Sequence, residues 1–231
     1  MTTVGLVGGL GPESTIDYYR RILDGWAKHQ PSSSPSIVID SLDSTRALRL
    51  AAEDRAGLTD YLLGSIRRLT GAGVDFIAMT ANTPHLVFDE VVAASSVPLL
   101  SIVEVCAEEA RRRSLRRPLL LGTRFTMQAS FYPDVGARYG IEVVVPDEPE
   151  RTWIHARYVD ELLKGDFRVA TREELIALIG RLRDRTQADG IILGGTELPL
   201  LLRAPVIAGL PVLDTTELHV AAIVNRLLGR D

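Results

Sequence analysis

The sequence predicts an α/β protein built from two similar parallel-sheet lobes related by a pseudo-twofold axis, with a ligand cleft between them. Three observations predict it. Short apolar runs alternate with helical patterns along the whole chain, the grammar of strand–crossover–strand units. Two segments read as internal copies: GVDFIAMTANTPHL, from Gly73, and ADGIILGGTELPL, from Ala188. Each has an acidic residue, an apolar strand, small polar residues and a proline, and each is followed after another proline by a second short strand, at 97–102 and 210–214. The first loops also correspond, Val7-Gly8-Gly9 in one half and Leu121-Gly122-Thr123 in the other. The lobes are expected at residues 1–100 plus 210–231 and at residues 101–209, with a last helix over 216–228 returning to the first lobe.

Residues 3–7 are a short buried-strand pattern that runs into the loop GGLGPEST. An amphipathic helix follows, with Ile16, Tyr19, Ile22, Leu23 and Trp26 at helical spacing. Residues 30–36 are polar and contain prolines, a loop. Residues 37–39 read as the second strand. Residues 55–71 read as a helix with Leu58, Tyr61, Leu62, Ile66 and Leu69 on one face, and residues 74–79 as the third strand. In the second half a strand at 118–121 enters GTRFT and a helix. Residues 141–145 read as another strand, residues 152–164 and 172–187 as helices, and residues 190–193 as a strand ending in GGTELP. Ligands of open α/β sheets bind at the carboxyl ends of strands. Loops 8–15, 80–85, 122–126 and 194–199 are therefore the candidate site.

Composition excludes several classes. The 231 residues are 46% hydrophobic and 24% charged, enough for a core and unlike a disordered or collagenous chain. A net charge of −4 leaves no basic footprint for nucleic acid. The single cysteine forbids an internal disulfide and fits a reducing compartment. No apolar run reaches the length of a membrane span, and no signal-peptide pattern precedes the first strand, so a cytoplasmic protein without a membrane partner is expected. The histidines lack metal-ligand spacing, so no metal is expected. The turn GGLG is neither a dinucleotide fingerprint, since Pro12 interrupts it, nor a P-loop, since no Gly-Lys-Ser/Thr follows.

Four stretches at the candidate loops carry more than composition can: GGLGPESTIDYY from Gly8, ANTPH from Ala81, LGTRFTMQASFY from Leu121 and GGTELPLLL from Gly194. In order and spacing, over essentially the whole chain, they resemble the aspartate/glutamate racemase superfamily, the amino-acid racemases that work without pyridoxal phosphate. The resemblance implies two lobes that clamp a small acidic amino acid, one catalytic cysteine on each lobe, no cofactor and a homodimer. This sequence departs where the chemistry is done. Ala81 and Gly195 stand at the two cysteine positions, and Cys106 lies in a helical pattern with Val103, Ala107 and Ala110, a small buried hydrophobe. Removing an α-proton needs a base on one face and an acid on the other, and a methyl and a hydrogen supply neither. They also leave space, which suits a bulkier ligand or an extra water.

The remaining polar residues sort by chemistry. Glu197 stands where the resemblance implies a side chain that assists the second cysteine, and burial would make it an acid or base in its own right; ordering of nearby backbone amides is the other reading. His85 and Thr80 are the further candidates for proton transfer, His85 because imidazole titrates near neutrality; capping or packing is the favoured reading of His85, and an alcohol makes Thr80 a poor base. Asn82, Thr83, Thr123, Thr126 and Thr196, with the backbone at Gly195, are candidates to hold the α-carboxylate, although such residues also serve as caps. Gly9 and Leu10 form a turn that brings backbone near a ligand. The resemblance implies a basic residue after the second strand for a distal carboxylate. Arg46 is the first choice and Arg49 the second, against a solvated surface arginine; the resemblance also implies Lys164 near the ligand, an exposed lysine before a helix-ending glycine being the equal alternative, and Arg124 in its loop is a further candidate for an anion. The expected function is a cysteine-independent enzyme acting on a small carboxylate or carbonyl compound through an enolate-like intermediate, of isomerase, lyase or cyclase type. The alternatives are an amino-acid racemase with other acid/base groups and a non-catalytic carboxylate-binding protein.

Overall fold

Runs of valine, isoleucine and leucine bounded by glycine become parallel strands in the computed structural model, which describes residues 2–230. The chain divides into two units. One extends to Ile102 and resumes at Thr216; the other is Val103–Thr215.

In the first unit β1 (Thr3–Gly8) is central, pairing in parallel with β2 (Ser36–Ser41) and β3 (Phe76–Met79), and β3 pairs with β4 (Leu99–Leu100). The order is β2-β1-β3-β4. Side chains alternate across β1, as a sheet covered on both faces requires. Val4 and Leu6 join a cluster with Tyr18, Ile22, Val220 and Ile223, while Val7 joins another with Leu58, Leu62 and Val91. Helix α1 (Pro12–Ala27) opens on a proline in its first turn, where no backbone donor is lost. It buries the i, i+4 row Ser14, Tyr18, Ile22 and Trp26. Ile16 and Tyr19, read from the sequence as inward, are 45% and 43% exposed. The helix is rotated because Tyr18 can be buried without an unmet hydroxyl: it bonds Nδ1 of His219 at 3.0 Å.

Helix α2 (Ser44–Glu53) is an addition to the sequence reading. Its signal is Asp43, whose carboxylate accepts the N–H groups of Thr45 at 2.8 Å and Arg46 at 3.2 Å, an N-cap. Helix α3 (Arg55–Gly71) buries Leu58, Leu62, Ile66 and Leu69 as expected. A 3-10 turn over Thr83–Val87 and α4 (Phe88–Ala94) lead to β4.

Helix α5 (Ile102–Arg112) opens the second unit. It is followed by β5 (Pro118–Gly122), α6 (Arg124–Gln128), α7 (Phe131–Arg138), α8 (Glu148–Asp160), α9 (Val169–Thr186), β6 (Gly190–Gly194), α10 (Leu198–Leu201), β7 (Val206–Ile207) and β8 (Leu210–Asp214). The order is β5-β6-β8-β7, parallel except for β7. Three sequence expectations are corrected here. The strand expected at 141–145 is reduced to one parallel bridge, Leu119 to Val144. The helix expected at 152–164 starts earlier, where Glu150 accepts the Asp147 N–H at 3.0 Å; it ends at Asp160, and Leu162–Lys164 is a 3-10 turn. The return to the first unit comes after residue 215 rather than 209, because Val212 pairs with Ile191 and holds β8 in the second sheet. Helix α11 (Thr215–Leu227) then packs Val220, Ile223, Val224 and Leu227 into the first unit's core. Among the described residues no helix is long and apolar enough to cross a membrane.

Candidate functional site

In the first unit the register Val7–Met79 sets the ends of β1 and β3 side by side. Gly9 follows at φ 75°, and a Cβ there would lie 2.5 Å from the Leu42 nitrogen, so only glycine makes the turn. Its N–H donates to Thr15 Oγ1 at 2.9 Å. The Ser14 hydroxyl donates to the Thr80 carbonyl, and the Thr80 hydroxyl to the Val7 carbonyl, each at 3.2 Å. Thr80 therefore ties β3 to β1. The Ala81 methyl and the Leu10 side chain lie in the apolar cluster with Val7, Met79 and Val87, which leaves Leu10 only its backbone to offer a ligand. Asn82 is buried and Thr83 half-buried at the start of the 3-10 turn.

His85 is buried, stacked on Phe88 with centroids 4.7 Å apart. Burial first, and the charge of His219 second, pull its pKa down to about 3. His85 thereby loses the near-neutral titration that proton transfer would use: the ring is neutral near pH 7, and its stack on Phe88 fits the packing reading. Arg46 lies exposed in the first turn of α2, its guanidinium 4.5 Å from the centroid of Tyr61, and Arg49 is exposed on the same helix.

In the second unit the register Gly122–Gly194 aligns the ends of β5 and β6. A Cβ at Gly122 would sit 2.5 Å from the Gly194 carbonyl oxygen, so glycine permits the close approach. Thr123 caps α6 by accepting the Thr126 N–H at 3.2 Å, and the two hydroxyls lie 3.2 Å apart. Past β6, Gly195, Thr196 and Glu197 are buried. The Thr196 hydroxyl donates to Glu197 Oε2 at 3.3 Å. The Tyr158 hydroxyl, from α8, donates to the same oxygen. The structure thus brings Thr123, Thr126, Gly195, Thr196 and Glu197 together at one sheet end. Arg124 begins α6 beside them, half-buried, its N–H donating to His155 Nδ1 at 3.2 Å. Lys164 is exposed, with Nζ 3.8 Å from Asp160.

Tyr158 overturns one expectation. Position 195 is not vacant: a Cβ built there would lie 2.8 Å from the Tyr158 hydroxyl oxygen and 2.9 Å from its Cζ. The ring occupies the space a side chain would use. Burial, and then the neighbouring Glu197 charge, push the phenol well above its usual pKa, so Tyr158 is neutral. Sequence reasoning missed this residue. The one available signal is the glycine itself, whose missing side chain admits a large partner from elsewhere. Cys106 is buried in α5, its thiol pushed up by burial. Among the described residues no group of three or more histidine, cysteine, aspartate or glutamate side chains could hold a metal ion.

The sequence model of the Asp/Glu/hydantoin racemase family matches residues 7–223. A broad-specificity amino-acid racemase, RacX of Bacillus subtilis, is 30% identical over 148 residues, 62% of this chain and 64% of that protein. The match thus spans less than two thirds of that relative's length. A candidate Asp/Glu racemase from Yersinia pestis superposes with a TM-score of 0.87 at 33% identity, over 99% of this chain and 100% of the other. An aspartate racemase homologue from Pyrococcus horikoshii gives 0.81, also at 33% identity, over 99% and 100%.

Proposed function

The chain belongs to the Asp/Glu/hydantoin racemase family, and from that premise we propose that it is a thiol-independent enzyme that moves the α-proton of a small carboxylate through an enolate-like intermediate. The observation that carries the reading is Glu197. It is a buried carboxylate at the end of β6, two residues past the position where the resemblance puts a cysteine, in a chain whose single thiol is sealed inside α5. A carboxylate in such a place is suited to general acid–base work. The paired hydroxyls of Thr123 and Thr126, 3.2 Å apart, are suited to the negative charge that develops on a carboxylate as its α-proton leaves, while the Thr196 hydroxyl is held by Glu197. In this reading the reaction needs no cofactor. The amino-acid racemases among its relatives make an α-amino or α-substituted acid the first substrate class to try.

The experiment is proton NMR in heavy water over aspartate, glutamate, maleate and α-substituted malonates. Wild-type protein is expected to exchange an α-proton, isomerise or decarboxylate at least one of them. Glu197→Gln is expected to be slower by about 10²–10⁴-fold, the usual contribution of a positioned acid or base. Binding by calorimetry with no change in any tube would instead make the protein a carboxylate binder. An unaltered rate in Glu197→Gln would take the chemistry away from this carboxylate.

A further inference from the structure

We infer that the Tyr158 hydroxyl, backed by the Glu197 carboxylate, is the group that exchanges the proton with the substrate in the second unit, a phenol–carboxylate relay in the place a thiol would take. The inference rests on the proposed function and deepens it by naming the atom that meets the substrate's α-carbon.

The geometry is specific. A residue with a side chain at position 195 would start its Cβ 2.8 Å from the Tyr158 oxygen. The phenol oxygen therefore lies within the reach of a thiol hung from that backbone, and the glycine is what allows the ring in. The hydroxyl is committed to Glu197 Oε2, to which the Thr196 hydroxyl also donates at 3.3 Å. Two hydroxyls thus converge on one carboxylate oxygen. The Glu197 backbone N–H points back at the phenol oxygen at 3.5 Å. If the ring merely filled the space of an absent side chain, phenylalanine would do it without burying a hydroxyl against a carboxylate.

The relay balances without a free phenolate. The substrate C–H bond breaks and its proton goes to the Tyr158 oxygen. In the same step the phenol's own proton passes to Glu197 Oε2, and the C–H electron pair stays on the substrate as the enolate. Running the step backwards returns a proton to carbon and restores the carboxylate. Tyr158 is neutral before and after. That suits a buried ring beside a carboxylate, where desolvation and the neighbouring charge both oppose phenolate.

The test is Tyr158→Phe in heavy water, with whichever carboxylate of the panel the wild type exchanges. Exchange is expected to fall by at least ~100-fold, while calorimetric affinity for that carboxylate stays within about threefold and the protein melts as a folded chain. The double variant Tyr158→Ala with Gly195→Cys removes the ring and hangs a thiol in its place. It is expected to recover exchange, now sensitive to iodoacetamide, which Cys106 is too buried to meet. Should Tyr158→Phe fail to fold, carbon-13 NMR of Cζ-labelled tyrosine in the wild type replaces it. The Tyr158 signal should resist ionisation and titrate lower in Glu197→Gln, and a titration unchanged by Glu197→Gln overturns the relay. Exchange within threefold of wild type in Tyr158→Phe, with Glu197→Gln inactive, overturns the role of Tyr158 and leaves the proposed function standing. A wild type that exchanges nothing overturns both.

Discussion

The ends of β3 and β6 share one sequence pattern and are filled by different side chains. Each strand has its neighbours in the same places, β1 and β4 in one unit, β5 and β8 in the other. Beyond β3 the polar groups close on themselves: Thr80 binds the Val7 carbonyl, Ser14 binds the Thr80 carbonyl, Ala81 joins the apolar core, and His85 is a neutral ring stacked on Phe88. Beyond β6 a carboxylate, a phenol and a threonine hydroxyl meet at one buried point. The lesson is that a repeated fold conserves backbone placement, while the side chain that enters each strand end from another element sets its chemistry. Ala81 has a methyl that packs; Gly195 has none, and Tyr158 comes in.

The sharpest way to break this comparison is a matched pair of substitutions. Glu197→Gln is expected to slow exchange by about 10²–10⁴-fold. Thr80→Val, which keeps the shape and removes a hydroxyl committed to backbone, should change it by less than about tenfold while destabilising the fold by about 1 kcal/mol. Equal losses of activity in the two would abolish the distinction drawn here.

Acid acts next, through the two buried histidines of the first unit. His219 sits between Tyr18 and Leu100. The Leu100 carbonyl, 3.2 Å away, can only accept, so Nε2 carries the proton and Nδ1 accepts from the Tyr18 hydroxyl. Burial lowers the His219 pKa to about 4, and His85 is at about 3. Both lie below the unfolded value of about 6.5, so below that pH the unfolded chain takes up protons that the folded chain refuses. Stability is full above pH ~6.5. It falls as pH drops toward 4 for His219 and toward 3 for His85, at about 1.4 kcal/mol per pH unit for each group. The two tryptophans allow the check, since Trp26 belongs to the first unit and Trp153 to the second. In a Trp153→Phe background, denaturant midpoints from Trp26 fluorescence should fall with acid, and His219→Gln should flatten the slope.

Adding or removing one methyl gives a smaller contrast. Gly195→Ala pushes a Cβ into the Tyr158 ring and should cost about 1–3 kcal/mol, as overpacking does. Ala81→Gly deletes a packed methyl and should cost about 0.8 kcal/mol plus a backbone-entropy increment. Thermal melting of the two variants compares them. Lys164→Ala is expected to move stability by less than about 0.5 kcal/mol, because its partner Asp160 is 3.8 Å away and both side chains are exposed. A larger loss would mean that the lysine is engaged elsewhere.

Much of the fold was legible because parallel strands buried on both faces write themselves as short apolar runs. Residues 190–193 and 118–121 carry that signature, and the glycine-bounded polar loops after them mark where the strands end. The face of α1 was not legible: Ile16 and Tyr19 satisfy the helical period as well as Ser14 and Tyr18 do, and only the His219 partner, two hundred residues away, makes Tyr18 the inward one. The strand at 141–145 has the right residues, but its pairing is limited to one bridge at Val144 and a single hydrogen bond from the Glu142 N–H to the Arg116 carbonyl at 2.9 Å. At the site, Glu197, Thr123, Thr126 and Thr196 could be named from their places beside strand ends. Tyr158 could not, since nothing local in a helix says which residue will meet a distant glycine.

The α/β class, the repetition between the two halves and the family were written in the amino-acid sequence, and so was the presence of a single cysteine. These follow from periodicity, spacing and residue identity, which are properties of the chain read in order. Only packing in three dimensions set what stands against Gly195. Whether a glycine leaves a hole or receives a ring depends on side-chain packing between elements far apart in sequence, and here α8 brings Tyr158 against Gly195 and onto Glu197.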